Sequence, residues 1–271
     1  MTLPQQRAGW GILWGAALAA SFSPPVCQLL FAVIAIGVIG MAHGASDLAI
    51  VRPERQPLFL IGYGVAMVLC LIWWHISPAL ALPGFLLASA LHFALEDAPD
   101  GSLPERLARG ISLIATPATL HAAGWRTILH TAGLDAAALD ALTTAMVLAG
   151  GVTAAALLIV GVKQRNWRLI AGTLALLLLP PFVGFSMGFL ILHALPQTAQ
   201  RRERLGCTGY MAYLRATWPV LLSALALAAI TVCMMQPGDT QGIRSLFAAL
   251  AALAIPHLLI TPWFEAEATD H

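Results

Sequence analysis

Charge is what this sequence has least of. Only 10% of its 271 residues are Asp, Glu, Lys or Arg, against about 25% in soluble globular domains. None of the four types occurs between Ala8 and Ser46. A chain so poor in solvated groups cannot cover a water-facing surface, which excludes the ordinary soluble classes. The net charge is +1, and no basic cluster is interleaved with aromatics, so nucleic acid is not an expected partner. Cysteine is scarce as well: Cys27, Cys70, Cys207 and Cys233 are isolated, with no C-x-x-C pair. That excludes a disulfide framework and a zinc ribbon and leaves the thiols as small apolar side chains. The chain also lacks a G-x-S-x-G elbow, a Walker loop and an H-E-x-x-H pair, the motifs of three large enzyme classes.

What the chain has is apolar sequence: 59% hydrophobic residues and a mean hydropathy of +0.81. Apolar runs of about 20 residues span a bilayer as helices. The runs are continuous, whereas a membrane barrel alternates. The expected fold is an all-α, polytopic membrane bundle of eight or nine transmembrane helices, a single transmembrane domain over 1–271 with 9–264 embedded and an acidic tail at 265–271. The expected location is the inner (cytoplasmic) membrane. Arg7 ahead of "GWGILWGAALAAS" reads as a retained first helix rather than a signal peptide.

Spans are read between charges. Residues 8–46 hold two helices broken at Pro24-Pro25, 56–95 two more, 110–125 a marginal one, and 141–162 a clear one; 216–238 and 245–264 complete the set. Residues 169–200 are long for one helix and contain Pro180-Pro181, which interrupts a helix. Basic residues set orientation, and Arg7, Arg52/Arg55 and Lys163/Arg165/Arg168 form one cytoplasmic set. Arg201, Arg202 and Arg204 follow a single apparent span later and conflict with it, unless 169–200 is a helical hairpin or an earlier span is misread.

Ionisable groups inside membrane spans are costly and usually functional. Of eight histidines, His271 is terminal, His130 lies in a polar loop, His75 follows Trp73-Trp74 in an interfacial belt, and His121 ends a weak helix. The other four, His43, His92, His193 and His257, each sit on or at the end of an apolar helix. Two readings stand: ligands of one shared metal projected from facing helices, or interhelical hydrogen bonding. Polar residues follow three of them at helical spacing: Asp47 is i+4 from His43, Glu96 and Asp97 are i+4 and i+5 from His92, and Gln197 is i+4 from His193. A metal-bound histidine commonly donates its other N–H to a carboxylate, a role open to Asp47 and Asp97 from the same or another helix. Glu96 and Asp97 also begin the hydrophilic stretch "EDAPDGSLPER", where simple solvation is the competing reading. Phe182, Phe185 and Phe189 repeat along one helical face, either as core or as the lining of a channel for a long apolar ligand.

Four stretches, "GMAHGASD", "SALHFALED", "PPFVGFSMGFLILH" and "LAALAIPHLLI", resemble in order and spacing the bacterial Brp/Blh-type β-carotene 15,15′-dioxygenases, over residues from about 26 to 264. The resemblance implies a membrane-bound non-haem Fe(2+) enzyme that uses O2 to cleave the central double bond of β-carotene, giving two all-trans-retinal. It places iron ligands on His43, His92 and His193. The family pattern continues His-x-x-x-His, and the fourth position here is Gln197; His257 is the other candidate for that role. The alternatives are a paralogue acting on another isoprenoid or inactive, and, from other classes, a His-ligated haem or metal-binding membrane protein or a transporter.

Overall fold

The computed structural model describes residues 3–235 and 242–264, with side chains described from Gly9 onward; the acidic tail at 265–271 lies outside the described residues. Every described element is helical. In chain order these are α1 (Leu3–Ser21), α2 (Pro25–Ala32), α3 (Asp47–Ile50), α4 (Gln56–Ile76), α5 (Pro78–Glu96), α6 (Leu103–Leu120), α7 (Ala122–Thr131), α8 (Ala136–Lys163), α9 (Trp167–Leu178), α10 (Pro181–Phe189), α11 (Leu195–Arg204), α12 (Tyr210–Met235) and α13 (Ile243–Leu259). A π-helical stretch, Val33–Ile39, and two 3-10 turns join α2 to α3, and a second π-helical stretch, Leu190–Ala194, joins α10 to α11.

Proline does much of the punctuation. Pro25, Pro57, Pro78, Pro104 and Pro181 each fall in the first turn of a helix, where the missing N–H costs nothing and φ is already helical. Side-chain caps do the same at α8 and α9: Asp135 accepts from the Ala138 N–H at 2.9 Å and Asn166 from the Leu169 N–H at 3.0 Å.

Among the described residues, seven helical stretches are long and apolar enough to cross a membrane: Pro25–Ile50, Pro53–Ile76, Pro78–Glu96, Ala136–Lys163, Pro181–Arg204, Tyr210–Met235 and Ile243–Phe264. The expected eight or nine therefore reduces to seven, because neither the first helix, α1, nor the marginal helix α6 is among them. Helix α6 is amphipathic in sequence, and its second half is buried on all sides by neighbouring helices rather than presented to lipid. The 169–200 region divides at Leu179-Pro180 into the shorter helix α9 and one full span. Glycines let the two arms of that hairpin close: a Cβ at Gly184 would stand 2.9 Å from the Ala175 and Leu179 carbonyl oxygens.

The hairpin also resolves the conflict of charges. Antiparallel packing shows in the paired contacts Phe59–Phe264, Gly62–Ile260 and Tyr63–Leu253 between α4 and the last span, and Arg106–Ala94 and Gly110–Ala90 between α6 and α5. One end of the bundle then carries Arg52, Arg55, Arg106, Arg109, Lys163, Arg165 and Arg168, and with them Arg201, Arg202, Arg204 and Arg215. Among the described residues only Arg126 and Arg244 lie at the other end.

Candidate metal centre

The local chain in "GMAHGASD" is irregular because it packs against three partners at once. Gly40 and Gly44 leave room that a side chain would fill: a Cβ at Gly40 would strike the Phe189 ring, and one at Gly44 would stand 3.8 Å from His257 Nδ1. The Tyr213 hydroxyl donates to the Ala42 carbonyl at 2.7 Å, tying this stretch to α12. Around His193 the helix widens into the π-helical stretch immediately before Pro196. Proline has no N–H for an intrahelical bond and its ring crowds the preceding turn, and π-turns of this kind frequently accompany functional sites.

These distortions bring four imidazoles together from four separate spans. Ring centres lie 5.0 Å apart for His43–His193, 5.4 Å for His43–His257, 5.3 Å for His92–His193 and 5.2 Å for His92–His257. The rings close a quadrilateral with His43 opposite His92 and His193 opposite His257. All four are buried.

Hydrogen bonds fix which nitrogen faces inward. His257 Nδ1 bonds Asp47 Oδ2 at 2.6 Å, and that oxygen also accepts from the Thr261 hydroxyl at 2.8 Å. His193 Nδ1 bonds Asp97 Oδ1 at 2.7 Å. His43 Nδ1 donates to the Gly40 carbonyl. In each case Nδ1 carries the proton, so Nε2 keeps its lone pair. The Nε2 of His257 is buried and has no hydrogen-bond partner, an arrangement that costs free energy unless a ligand completes it.

The carboxylates therefore do not serve the histidine that precedes them on their own helix. Asp47, i+4 from His43, supports His257; Asp97, i+5 from His92, supports His193. Burial pushes the Asp97 carboxyl well above its ordinary range, while the charges of Arg109 and Arg168 pull it back down. Glu96 does face its helix-mate, with Oε2 3.4 Å from His92 Nε2. Donor atoms of His92, Glu96 and His193 all lie within 4.8 Å of one another.

Gln197 is buried, but its Nε2 reaches the Glu96 backbone carbonyl at 3.5 Å. Its observed contact ties α11 to the end of α5. The residue that the i, i+4, i+8 spacing from His193 also reaches, Arg201, is buried in the bundle with Nη2 3.8 Å from Asp47 Oδ1. Arg201, in sequence one of three loop charges, is thus part of the buried bundle, and Glu96, for which solvation is the competing reading, faces the histidines. The helical spacings 193/197/201 and 92/96 were the available signals for both. Thr261 carried no such signal.

Phe93 and Phe189 wall the cluster, with centroids 4.7 Å and 5.4 Å from that of His193. Phe185 stacks on Phe189 at 6.0 Å and 12°. Phe182, Phe185 and Phe189 all line one cavity of about 520 Å³, whose wall also includes His43, His92, His193 and His257. Its remaining lining is almost entirely aliphatic and aromatic. His75 and His130 are exposed, and His121 sits at the Leu178 carbonyl, 3.3 Å away; none of these belongs to the cluster. His271 lies outside the described residues.

The donor set fits a first-row transition metal. Neutral imidazoles are its common ligands, and bonds of about 2.1 Å to two such rings hold their centres roughly 5 Å apart, the spacing observed here. The two carboxylates holding His193 and His257 in their tautomers are the usual outer support of such a ligand.

Fold and site define a polytopic helical membrane protein with a buried polyhistidine centre beside an apolar cavity. The chain matches the family described as beta-carotene 15,15'-dioxygenase over residues 34–265. It belongs to that family, whose activity is the oxygenative cleavage of a carotenoid. No curated protein and no solved structure matches it.

Proposed function

We propose that this protein is a membrane-bound non-haem iron dioxygenase that cleaves the central double bond of β-carotene with O2 to give two all-trans-retinal. The observation that carries the proposal is the closed quadrilateral of His43, His92, His193 and His257, open on one side to an apolar cavity. These four histidines would hold Fe(2+), with His257 occupying the role that Gln197 leaves vacant and Glu96 within reach as a carboxylate donor. The iron would supply the binding and activation of O2.

The protein's own residues do the rest. Asp47, Asp97 and the Gly40 carbonyl hold three imidazole N–H groups outward and so aim the opposite nitrogens at one point. Thr261 and Arg201 steady Asp47 from two further directions. Phe93, Phe185 and Phe189 offer flat apolar faces to a conjugated chain and set its approach. The aliphatic walls exclude water from the space beside the histidines. A hydrocarbon substrate needs no polar recognition, and the cavity offers little.

The excess of Arg and Lys at one end of the bundle marks that end as cytoplasmic, in the cytoplasmic membrane. The histidines lie towards that end, since they fall late in Pro25–Ile50, Pro78–Glu96 and Ile243–Phe264. The test is expression in cells that make β-carotene, with retinal and bound iron measured on the same preparation. Retinal with iron is expected; iron without retinal points to a paralogue acting on another isoprenoid, and absence of both refutes the enzyme reading.

A further inference from the structure

The cavity that ends at the histidines has a long flank that reaches the outer surface. It runs along α13 from Leu246 to His257, a distance of roughly 16 Å at α-helical rise, leading away from the basic face. Its far end, remote from the histidines, is closed by buried side chains, among them Trp125, Phe85 and Pro181. On the opposite flank the lining residues are themselves exposed at the outer surface: Val33 (42%) and Val38 (44%) from the π-helical stretch and Leu227 (40%) from α12.

The cause is the way α12 is held. Its buried residues are Tyr213, Thr217 and Leu221, all in its first half near the basic face. From Leu222 to Met235 none is buried. The second half of α12 therefore stands off from the π-helical stretch and leaves a slot between them. The slot is pinched shut at Gly37, where even a Cβ would already be in van der Waals contact with Leu225 Cδ2 at 3.9 Å; passage there needs the two sides to part. The one hydroxyl on the α12 side of the wall, Ser223, donates to its own helix at the Pro219 carbonyl. A ligand with a polar head finds no partner on this flank; an unbroken hydrocarbon needs none.

We propose that the slot between Val33–Ile39 and residues 220–228 of α12 is the lateral portal through which a long apolar polyene passes from the bilayer to the histidine cluster, with Gly37 setting its width. The identity of that polyene as a carotenoid rests on the proposed function; the portal itself rests on the slot, its continuity with the cavity and its apolar walls. Gly37 lies outside the histidine cluster, so filling its place obstructs passage without touching a ligand.

The test uses the full chain in phosphatidylcholine vesicles with 1-bromododecane, an apolar chain that quenches tryptophan only near contact. Trp125 at the closed end reports entry into the cavity, and its share of the quenching is the difference from a Trp125→Phe protein. Gly37→Phe is expected to lower the Trp125-dependent quenching at least tenfold. Ile34→Phe, at a 59% exposed position outside the cavity wall, leaves it unchanged. A Gly37→Cys/Leu225→Cys pair in a Cys27→Ser/Cys233→Ser background, bridged by a short bis-maleimide, is expected to lose quenching on bridging alone, which separates obstruction from misfolding. Iron content should equal that of the parent protein in all variants. Undiminished quenching in the bridged protein overturns the portal, as does quenching that appears only after lipid is stripped away, which would mean that an acyl chain is the resident occupant. Aldehyde formation from β-carotene in the same vesicles should fall in parallel. A parent protein that forms no aldehyde while the quenching pattern holds leaves the portal standing and removes the carotenoid reading.

Discussion

Asp47 Oδ2 and His257 Nδ1 stand 2.6 Å apart although 210 residues separate them in the chain. The bond joins the first span to the last and fixes the tautomer of a buried imidazole whose other nitrogen is otherwise unmatched. Asp47→Asn is expected to lower iron affinity about 10- to 100-fold, the usual cost of removing an outer partner of a metal-bound histidine. Asp47→Ala should do at least as much, and Asp97→Asn should act in the same sense through His193. Iron retained per chain during titration with a chelator checks all three.

Gln197→His should add no iron and raise turnover less than twofold, because His257 already closes the fourth side of the cluster while Gln197 reaches the Glu96 carbonyl. Iron stoichiometry and aldehyde yield measured side by side decide this; a tenfold gain in either would mean that the site is one ligand short.

Glu96→Gln should weaken iron binding about 10-fold or more, since its carboxylate lies among the donor atoms of His92 and His193 and metal affinity rises with donor charge. The exposed Glu54 offers the control: Glu54→Gln should leave iron content unchanged.

The division of the fold into spans was legible because membrane helices announce themselves by uninterrupted apolar length. The four histidines were legible for the complementary reason, that an ionisable group in such a run is expensive. The hairpin at Leu179-Pro180 was legible as an over-long run broken by Pro180-Pro181 and as a contradiction of charges, although α9 is too short to read as a span of its own. That Asp47 and Asp97 partner histidines, on the same or another helix, was legible, but which histidine each serves was not. Asp47 and Asp97 sit one helical turn after His43 and His92, yet each bonds a histidine on a different helix, a result of packing that intrahelical spacing cannot encode. Arg201 was hidden similarly, as one of three arginines in a row whose burial depends on the helix it docks against.

Close helix packing gives a stability prediction. A Cβ on Gly150 would stand 2.5 Å from the Ala115 carbonyl oxygen and 2.6 Å from its carbon, so Gly150→Ala forces α6 and α8 apart. Alanine gains about 1 kcal/mol in helix propensity, and the overpacking costs about 1–3 kcal/mol or more where backbone must move. A lower Tm in detergent is expected; Gly9→Ala, with nothing within 4 Å, should show no such loss.

Orientation is checked by labelling in a background with all four native cysteines replaced by serine. Gln164→Cys, in the exposed basic turn after α8, should be shielded from an impermeant maleimide added outside spheroplasts, whereas His130→Cys, exposed at the opposite end, should react. The reverse pattern would place the histidine cluster near the outer face.

X-ray absorption at the iron edge, on the full chain purified from cells, addresses the central claim most directly. The expected result is one iron per chain with the scattering of several imidazoles at about 2.1 Å, and loss of iron in His43→Ala and His257→Ala alike. A protein without iron, or one whose iron spectrum is the same in those two variants as in the parent, would contradict it.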